Sequence, residues 1–469
     1  MGTIAGAVFS LGAGAEPLTA APKDPQIDAI VAAISPARIE KTIRTLAGFY
    51  TRHTLSETES ETRGIGAARR WIKSELERCS EAAGGTLEVV FDAYSEKAGP
   101  RINAPAQIVN VVATLAGTQP AARDRIYVVS GHYDSRASDV MDAKSAAPGA
   151  NDDASGTAAV IEMACVMAKY RFDATLVFMA VAGEEQGLLG ANHWADEARR
   201  KNLDVAGMIT NDIIGSSRGE DGRRDDRSVR LFANGFSPLL SQMIAMQRGT
   251  ADGTERSREQ LTKDLETIAR AGGEEDTPTH QLGRHLKEAG EWYVPGFTVN
   301  VIPRRDRFLR GGDHLPFLDR GYAAVRFTEP NEDFRHQHQD VRVENGVQYG
   351  DLLEFVDFGY VAEVARVNAA GLATLALAPA APKDVGIEVA QLENDTTLRW
   401  AANVEPDLAG YRIVWREPSS PVWQFARDAG NGLRYTLKGV SKDNYVFGVE
   451  AVDSDGHASP AAFPRPWRP

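Results

Sequence analysis

The hydrophobic positions of this chain follow two different periods. Between residues 24 and 78 they recur every three or four residues, as on one face of an α-helix. Further along, short apolar runs bounded by glycine and polar residues predict strands that are buried on both faces. The alternation of the two predicts an α/β fold, a mainly parallel mixed sheet sandwiched by helices. Helices are predicted at 27–34, 39–46, 67–76, 156–169, 186–199 and 350–369, and strands at 86–91, 108–115, 126–130, 175–182, 208–214 and 323–327.

The character of the chain changes twice more. Residues 216–227 and 249–279 are rich in charged residues and glycine, which predicts surface loops or an inserted subdomain around a helix at 257–269. After an Ala/Pro linker at 378–383, short alternating strands at roughly ten-residue intervals predict a small all-β sandwich. The predicted domains are a leader or signal-like segment (1–25), an α/β domain (26–375) with an insertion at about 216–300, and the β-sandwich (384–469).

Composition and charge limit the classes of partner. The chain has 469 residues, of which 43% are hydrophobic and 25% charged, as in a globular protein of more than one domain. The net charge of −13, with no cluster of lysine and arginine, argues against a nucleic-acid partner. Because no uninterrupted apolar stretch reaches about 18 residues, no transmembrane segment is expected.

The cysteines and the N-terminus bear on the cellular compartment. Cys79 lies in a charged helical pattern and Cys165 in an apolar one, so both are predicted to be free thiols, although a single bridge is possible. Residues 1–15 are small and apolar and end in Ala13-Gly14-Ala15, like the second half of a secretory signal, but they lack a basic start. We expect a secreted or periplasmic protein, with a disordered leader and a cytoplasmic location as the alternative.

Histidine and carboxylate residues stand at the ends of the predicted buried strands. Since the carboxyl ends of parallel strands meet at one edge of a sheet, these residues are expected to gather there. Several carboxylates so close together raise one another's pKa, and a divalent cation reverses that effect. A central carboxylate at a turn is where a ligand bridging two metal ions would lie. The residues that predict a two-metal site are His132, Asp134, Asp152, Asp153, Glu184, Glu185, Asp212 and a late histidine, His336.

Each of these signals has a simpler explanation when it is taken alone. His132 and Asp134 are also typical of a capped strand end, and residues 149–156 are typical of the capped start of a helix. In the metal-site interpretation, Asp134 is the acceptor that fixes the tautomer of the imidazole. The adjacent side chains of Glu184 and Glu185 diverge, so that one can bind metal while the other faces a water molecule.

Five motifs occur in a fixed order along the chain. They are His132-Tyr133-Asp134-Ser135, Asn151-Asp152-Asp153-Ala154-Ser155-Gly156, Gly183-Glu184-Glu185-Gln186-Gly187-Leu188-Leu189-Gly190, Asn211-Asp212 and Asp313-His314-Leu315-Pro316-Phe317. Together they resemble the motifs of the dinuclear zinc aminopeptidase family, which includes bacterial leucyl aminopeptidases and glutamate carboxypeptidases. The resemblance covers roughly residues 100–345 and implies the zinc exopeptidase fold with two Zn²⁺ per chain as cofactor.

The resemblance implies a metal-binding role for matching residues. His132 and Asp212 would hold one zinc ion. Glu185 and a late histidine would hold the other, and Asp152 would bridge both. The peptide bond between residues 152 and 153 would be cis, as it is in the family.

The late histidine is assigned to His336, with His338 as the alternative. In the family this histidine is followed four residues later by an aspartate, and His336 with Asp340 satisfies that spacing whereas His338 does not. Arg335 stands where the family has an aromatic residue, which leaves open which group polarises the substrate carbonyl. His314 lies where the family packs its substrate pocket, with a structural histidine as the alternative. The histidines predicted to lie on the surface are His53, His193, His280, His285 and His457.

The resemblance also implies an activity. Glu184 would be the general base, taking a proton from water and returning it to the leaving amine, and Asp134 would orient His132. An acidic rim suits a free α-ammonium group, so the expected substrates are peptides with a free N-terminus and the expected enzyme is an aminopeptidase. The alternatives are carboxypeptidase or glutaminyl cyclase-like activity on the same fold, and a binding protein without catalysis.

The C-terminal sequence resembles a fibronectin type III domain. The resemblance rests on Leu398-Arg399-Trp400, Leu408-Ala409-Gly410-Tyr411-Arg412-Ile413, Trp423, Tyr435-Thr436-Leu437 and residues 445–453. Trp400 and Tyr411 are expected to fill the space between two sheets. Contact with a surface or a polymer is one expectation for this domain, and a stabilising or spacer module is the other.

Overall fold

The computed structural model describes residues 16–18, 22–234, 239, 243, 246, 257–274 and 276–468. The chain divides into two compact units. The larger unit comprises residues 22–265 and 274–377, and the smaller unit comprises 1–21, 266–273 and 378–469. The short strand β1 (Glu16–Pro17) belongs to the smaller unit, although the sequence places it in the leader. Residues 1–15 of the predicted leader lie outside the described residues.

A mixed sheet of eight strands forms the centre of the larger unit. Its strands are β2 (Leu87–Glu96), β3 (Ala106–Leu115), β4 (Arg125–His132), β5 (Thr175–Val181), β6 (Asp204–Asn211), β7 (Ser228–Phe232), β8 (Thr298–Ile302) and β9 (Ala324–Thr328). Their order across the sheet is β2-β3-β5-β4-β6-β9-β7-β8. The four central strands β5, β4, β6 and β9 are parallel neighbours, so their carboxyl ends lie at one edge. A separate hairpin consists of β10 (Arg342–Glu344) and β11 (Val347–Tyr349).

Helices cover both faces of this sheet. The described helices are α1 (Pro25–Ala33), α2 (Pro36–Gly48), α3 (Gly64–Ala82), α4 (Ala154–Met167), α5 (Leu189–Arg200), α6 (Arg258–Ala271), α7 (Pro278–Tyr293), α8 (His314–Asp319) and α9 (Phe358–Leu377), with a 3₁₀ turn at Leu353–Phe355. Of these, α6 contains residues of both units. The helices α1 and α2 begin with proline directly after the N-caps Asp24 and Ser35, whose side chains accept backbone N–H groups. The predicted helix–sheet–helix arrangement is therefore confirmed.

Alternate residues of the central strands face two different cores. In β5, Phe178 and Ala180 belong to the core that also contains the buried apolar residues of α1–α4, α7 and α9. Val177 and Met179 belong to the core beneath α5 and α8. Because both faces of the strand are covered, its sequence is continuously apolar, as the pattern predicted.

A disulfide bond joins α3 to α4, so the prediction of free thiols is wrong. Cys79 and Cys165 are 86 residues apart in sequence, yet their Cα atoms are 4.9 Å apart. The two helices pack side by side on the same face of the sheet. The apolar pattern assigned each cysteine to a helix but carried no information about which faces of the helices meet.

Several element boundaries differ from the prediction for local reasons. The helix predicted at 186–199 begins at Leu189, because Leu188 has a left-handed φ of 61°. The strand predicted at 208–214 ends at Asn211, and Ile213 has a φ of 62°. The helix predicted at 350–369 begins at Phe358, after the 3₁₀ turn. The predicted insertion also supplies β7, α7 and β8, so it contributes two strands to the central sheet.

The smaller unit consists mainly of two four-stranded sheets. Its remaining strands are β12 (Gly386–Glu388), β13 (Thr396–Arg399), β14 (Leu408–Arg416), β15 (Phe425–Gly430), β16 (Arg434–Leu437), β17 (Val446–Asp453) and β18 (Arg465–Trp467). The sheets have the orders β1-β15-β14-β17 and β16-β13-β12-β18. Trp400 and Tyr411 lie in the core of this unit with ring centroids 5.3 Å apart, as expected. Across both units, no helix among the described residues is long and apolar enough to cross a membrane.

Candidate metal centre

The candidate site lies at the carboxyl ends of the parallel strands. His132 is the last residue of β4, and Asp212 directly follows β6. Glu184 and Glu185 lie in the turn between β5 and α5. Asp152 lies just before α4, which begins at residue 154. Open α/β sheets commonly bind their ligands at this edge.

Two groups of potential ligand atoms share the carboxylate of Asp152. In the first group, Nε2 of His132 is 3.1 Å from Oδ1 of Asp152 and 3.8 Å from Oδ1 of Asp212. In the second group, Nε2 of His338 is 2.9 Å from Oδ2 of Asp152 and 3.0 Å from Oε1 of Glu185. The ligand atoms within each group lie within 4.8 Å of one another. One imidazole and two carboxylates per group, with one shared carboxylate, fit a pair of zinc ions.

The charges of the two groups are strongly coupled. Burial tends to raise the pKa of Asp152, but hydrogen bonds from His132 and His338 hold that pKa well below its usual range. Burial tends to lower the pKa of His338, but Glu185 and Asp152 outweigh it and raise the pKa to about 10. These carboxylates thus attract positive charge to the place between them, which is the electrostatic requirement of a cation site.

His336, which the sequence assigned as the last ligand, is not part of either group. Its ring stacks on Phe355 with centroids 3.5 Å apart, and its Nδ1 is 3.6 Å from Oδ2 of Asp333. His338, and not His336, contributes the imidazole of the second group. Asp340, whose spacing favoured His336, instead accepts a hydrogen bond from the backbone N–H of Ser138 at 3.1 Å. The structure therefore corrects this assignment.

The backbone explains why the later histidine reaches the site. The N–H groups of His336 and Gln337 both donate to the carbonyl of Asp333, forming a helical turn. His338 ends this turn with a left-handed φ of 52°, which redirects the chain. Nothing in the residue spacing reports such an angle, although histidine is among the residues that tolerate it best.

Asp134 contacts more of the site than was predicted. Nδ1 of His132 is 3.2 Å from the backbone carbonyl of Asp134 and 3.6 Å from its Oδ1. The carboxylate of Asp134 accepts the N–H groups of Glu184 and Glu185 at 3.3 and 3.1 Å. Its main chain is thus next to the imidazole, while its side chain holds the turn that carries the two glutamates.

Asp153 connects the metal groups to the helix behind them. The peptide bond between Asp152 and Asp153 is cis, as the resemblance implied. One carboxylate oxygen of Asp153 accepts the N–H of Gly156 at the start of α4, and the other accepts the N–H of His132, both at 2.9 Å. A Cβ at Gly131 would be 2.5 Å from the backbone of Gly156, so this close approach of β4 and α4 requires glycine.

The environment of Glu184 suits a proton acceptor. Burial, together with the charges of Asp212, Glu185 and Asp313, raises the pKa of its carboxyl well above the usual range, although His132 opposes this rise. A carboxylate whose pKa is raised is a stronger base than an exposed one. Asp313 is itself buried, and neither of its carboxylate oxygens has a hydrogen-bond partner among the described residues.

Three further buried groups belong to the site or its surroundings. The guanidinium of Arg326 on β9 lies 2.9 Å from Oδ1 of Asp212 and 3.1 Å from Oδ2 of Asp306. Its position in a predicted buried strand was a signal in the sequence, because a buried charge needs partners of opposite charge. Asp351 accepts the N–H of Asp152 at 2.7 Å, and no sequence feature indicated this. His314 is buried, with Nε2 2.8 Å from the carbonyl oxygen of Arg305.

Known proteins resemble this chain in sequence and in fold. The model of peptidase family M28 matches residues 110–272. A probable zinc metalloprotease of Leptosphaeria maculans is 45% identical over 441 residues, covering 94% of this chain and 97% of that protein. A probable zinc metalloprotease of Pyricularia oryzae is 45% identical over 456 residues, covering 96% and 86%. The crystal structure of LapB from Legionella pneumophila has a similar fold, with a TM-score of 0.50 at 18% identity over 76% of this chain and 75% of that one.

Proposed function

Because the chain belongs to peptidase family M28 and is a zinc metallopeptidase, we propose that it is an aminopeptidase that uses two zinc ions. The observation that carries this proposal is the carboxylate of Asp152, which offers one oxygen to each of two histidine–carboxylate groups. The proposed ligands are His132, Asp152 and Asp212 for one ion and Asp152, Glu185 and His338 for the other.

The proposed chemistry is hydrolysis of the first peptide bond of a substrate. When bound, two zinc ions polarise the scissile carbonyl and lower the pKa of water. In the proposal, Glu184 accepts the proton of the attacking water and returns it to the leaving amine. Asp134 supports this step by accepting the backbone N–H of Glu184, which fixes the turn from which the base projects. The raised pKa of Glu184 makes its carboxylate a stronger proton acceptor than an exposed glutamate.

The charge of the site supports exopeptidase action as part of this proposal. The site is crowded with carboxylates, and a free α-ammonium group of a substrate brings a positive charge to them. An internal peptide bond presents no such charge, so a peptide with a free N-terminus is the proposed substrate. N-acetylation should therefore abolish productive binding.

We also propose that the protein functions in an oxidising compartment and is secreted or periplasmic. The support for this is the disulfide bond between Cys79 and Cys165, since such bonds persist outside the reducing cytosol.

For the smaller unit, we propose a fibronectin type III-like sandwich that acts as a spacer or contacts a surface. Its two sheets and the core around Trp400 and Tyr411 are consistent with this proposal.

The proposal is tested by metal analysis and by hydrolysis of amino-acid p-nitroanilides, each with a free and with an acetylated amine. We expect about two zinc ions per chain, cleavage only of the free-amine substrates, and loss of activity with a chelator that zinc restores. The variant Glu184→Gln should keep its zinc and lose turnover by about 10²–10⁴-fold. Equal cleavage of acetylated substrates would contradict aminopeptidase action, and full activity of Glu184→Gln would remove this residue from the mechanism.

A further inference from the structure

Four consecutive polar residues are buried beside the metal centre. Residues 51–54 are part of the connection between α2 and α3, and we call them the connecting segment; they are Thr51, Arg52, His53 and Thr54. Arg52 and His53 have no exposed surface, and the two threonines are each 5% exposed. The prediction that His53 is a surface residue is therefore wrong. Buried polar side chains need hydrogen-bond partners, and here several of those partners belong to the loops of the site.

Arg52 holds the two ends of the loop between β4 and α4 together through main-chain carbonyls, and its Nη1 also donates to the carbonyl of Leu46 in α2. Its Nε donates to the carbonyl of Tyr133 at 2.6 Å, between His132 and Asp134. Its Nη2 donates to the carbonyl of Gly149 at 2.9 Å, and its Nη1 donates to the carbonyl of Pro148. The rigid, planar guanidinium thus fixes the distance between the end of β4 and the loop that leads to Asp152.

Thr54 reaches a second loop, the turn between β5 and α5, through Asp134. Its hydroxyl donates to Oδ2 of Asp134 at 3.2 Å, and the same oxygen accepts the N–H of Glu185 at 3.1 Å. Thr54 therefore holds the carboxylate that fixes the turn carrying Glu184 and Glu185.

His53 lies beside the residue that follows Glu185. Its Nδ1 accepts the N–H of Leu55, so its Nε2 bears the proton and donates to the carbonyl of Val140 at 2.8 Å. The side-chain amide of Gln186 lies 3.2 Å from the same ring nitrogen. The connecting segment thus contacts the loops that carry three of the five proposed ligands.

The charge of Arg52 also matches this location. Burial lowers the pKa of its guanidinium to about 10, against the opposing charges of Asp351, Asp134, Asp153 and Asp152. The group is therefore positively charged at neutral pH. A buried cation behind the carboxylates reduces their mutual repulsion without occupying the place where metal would bind.

We infer that Arg52 and Thr54 are positioning residues of the metal centre, which set the spacing of the loops carrying His132, Asp152 and Glu185. The inference rests on the proposed function only in treating these three residues as zinc ligands. In such a role, neither residue touches metal or substrate. Their loss should weaken zinc binding and turnover together, as loss of a hydrogen bond to a ligand does in other metal sites.

The test compares two threonine variants of the full-length protein. Thr54→Val removes the hydroxyl with little change of shape, and Thr54→Ser retains the hydroxyl. Thr42→Val is the matched control, because Thr42 is also buried, in α2, but lies in none of the loops of the site. The readouts are the zinc dissociation constant from competition with a chelator, kcat and KM, and the urea midpoint of the metal-free protein.

We expect Thr54→Val to bind zinc about 10- to 100-fold more weakly and to lose kcat while KM changes little. Thr54→Ser should recover most of both losses, and Thr42→Val should bind zinc as the wild type does. If Thr54→Val binds zinc normally and only its urea midpoint falls, as in the control, the residue is merely structural and the inference is overturned. Failure of Thr54→Ser to restore zinc binding would overturn it as well.

Arg52→Lys gives a second arm, since lysine keeps the charge but cannot hold several carbonyls at fixed angles. We expect at least a tenfold loss of zinc affinity in a chain whose circular dichroism matches the wild type. Unchanged affinity would contradict the role of Arg52. Zinc affinity does not depend on the substrate, so a wild-type protein that binds zinc but fails to release N-terminal residues would contradict the proposed function alone.

Discussion

Two histidines that are two residues apart have different environments because of one backbone angle. His336 lies within a helical turn and stacks on Phe355, whereas His338 has a left-handed φ of 52° and points to Asp152 and Glu185. Non-glycine residues held in this conformation often mark functional sites, because the surrounding structure must stabilise them. The angle therefore supports the proposal that His338 binds metal.

Alanine variants of the two histidines separate these roles. We expect His338→Ala to lose about one zinc ion per chain, because Glu185 and Asp152 would then lack their imidazole partner. Its turnover should fall by at least about 100-fold. Losing a residue that only contacts a ligand costs up to about 100-fold, and losing the ligand itself should cost no less. His336→Ala should keep its zinc and lose only about 1 kcal/mol of stability with the stacked ring.

Metal analysis by mass spectrometry, together with turnover, checks this prediction. His336→Ala also serves as the control for removing an imidazole from the same loop. The opposite result, with zinc lost from His336→Ala and retained in His338→Ala, would return the assignment to the residue that the spacing favoured.

At the scale of secondary structure elements, the sequence predicts what depends on apolar runs. The buried strands and the residues that follow them could be placed because the carboxyl ends of parallel strands must meet at one edge. His338 could not, since its position depends on a turn within a loop. The strands β7 and β8 were missed because their sequences, SVRLF and TVNVI, mix polar with apolar residues and lie within the region that was predicted to be an insertion. The disulfide was missed because helix periodicity does not specify which helices pack together.

The disulfide between α3 and α4 should contribute measurably to stability. Replacing both Cys79 and Cys165 by serine is expected to lower the free energy of unfolding by about 3–4 kcal/mol, since the bond closes a long loop in the unfolded chain. Urea denaturation of the wild type with and without a reductant, and of the double variant, measures this difference.

Reductant should shift the wild type toward the double variant and leave the double variant unchanged. Because the double variant contains neither cysteine, it controls for other effects of the reductant on the protein. The disulfide would be contradicted if the unreduced wild type had two thiols that react freely with a thiol reagent. It would also be contradicted if the reductant shifted the double variant as much as it shifts the wild type.

At the scale of the whole molecule, the response to acid includes buried histidines that are not among the proposed metal ligands. His285 on α7 lies 2.8 Å from the hydroxyl of Thr374 on α9, and that hydroxyl donates to the carbonyls of Ala370 and Gly371. Burial lowers the pKa of His285 to about 4. Burial likewise lowers the pKa of His314 to about 4, although Asp306 opposes this. Both imidazoles are therefore neutral in the folded protein at pH values where an unfolded chain would protonate them.

This difference fixes the sign of the pH dependence. An unfolded histidine has a pKa near about 6.5, so between that value and about 4 the unfolded chain binds a proton that folded His285 does not. Stability from this group is fully present above about pH 6.5 and is lost as the pH falls toward 4. Each such histidine changes the free energy of unfolding by up to about 1.4 kcal/mol per pH unit within this window.

The variant His285→Gln isolates this contribution, because glutamine keeps a donor for the hydroxyl of Thr374 but does not titrate. We expect the free energy of unfolding of the variant, measured with urea between pH 7.5 and 4.5 in excess chelator, to fall less steeply with acid than that of the wild type. The difference in slope should approach one proton between pH 6 and 5, whereas above pH 7 the two curves should run parallel. Since the metal centre titrates equally in both proteins, it cancels from this comparison. Identical slopes below pH 6 would mean that His285 is protonated in the folded protein as readily as in the unfolded chain.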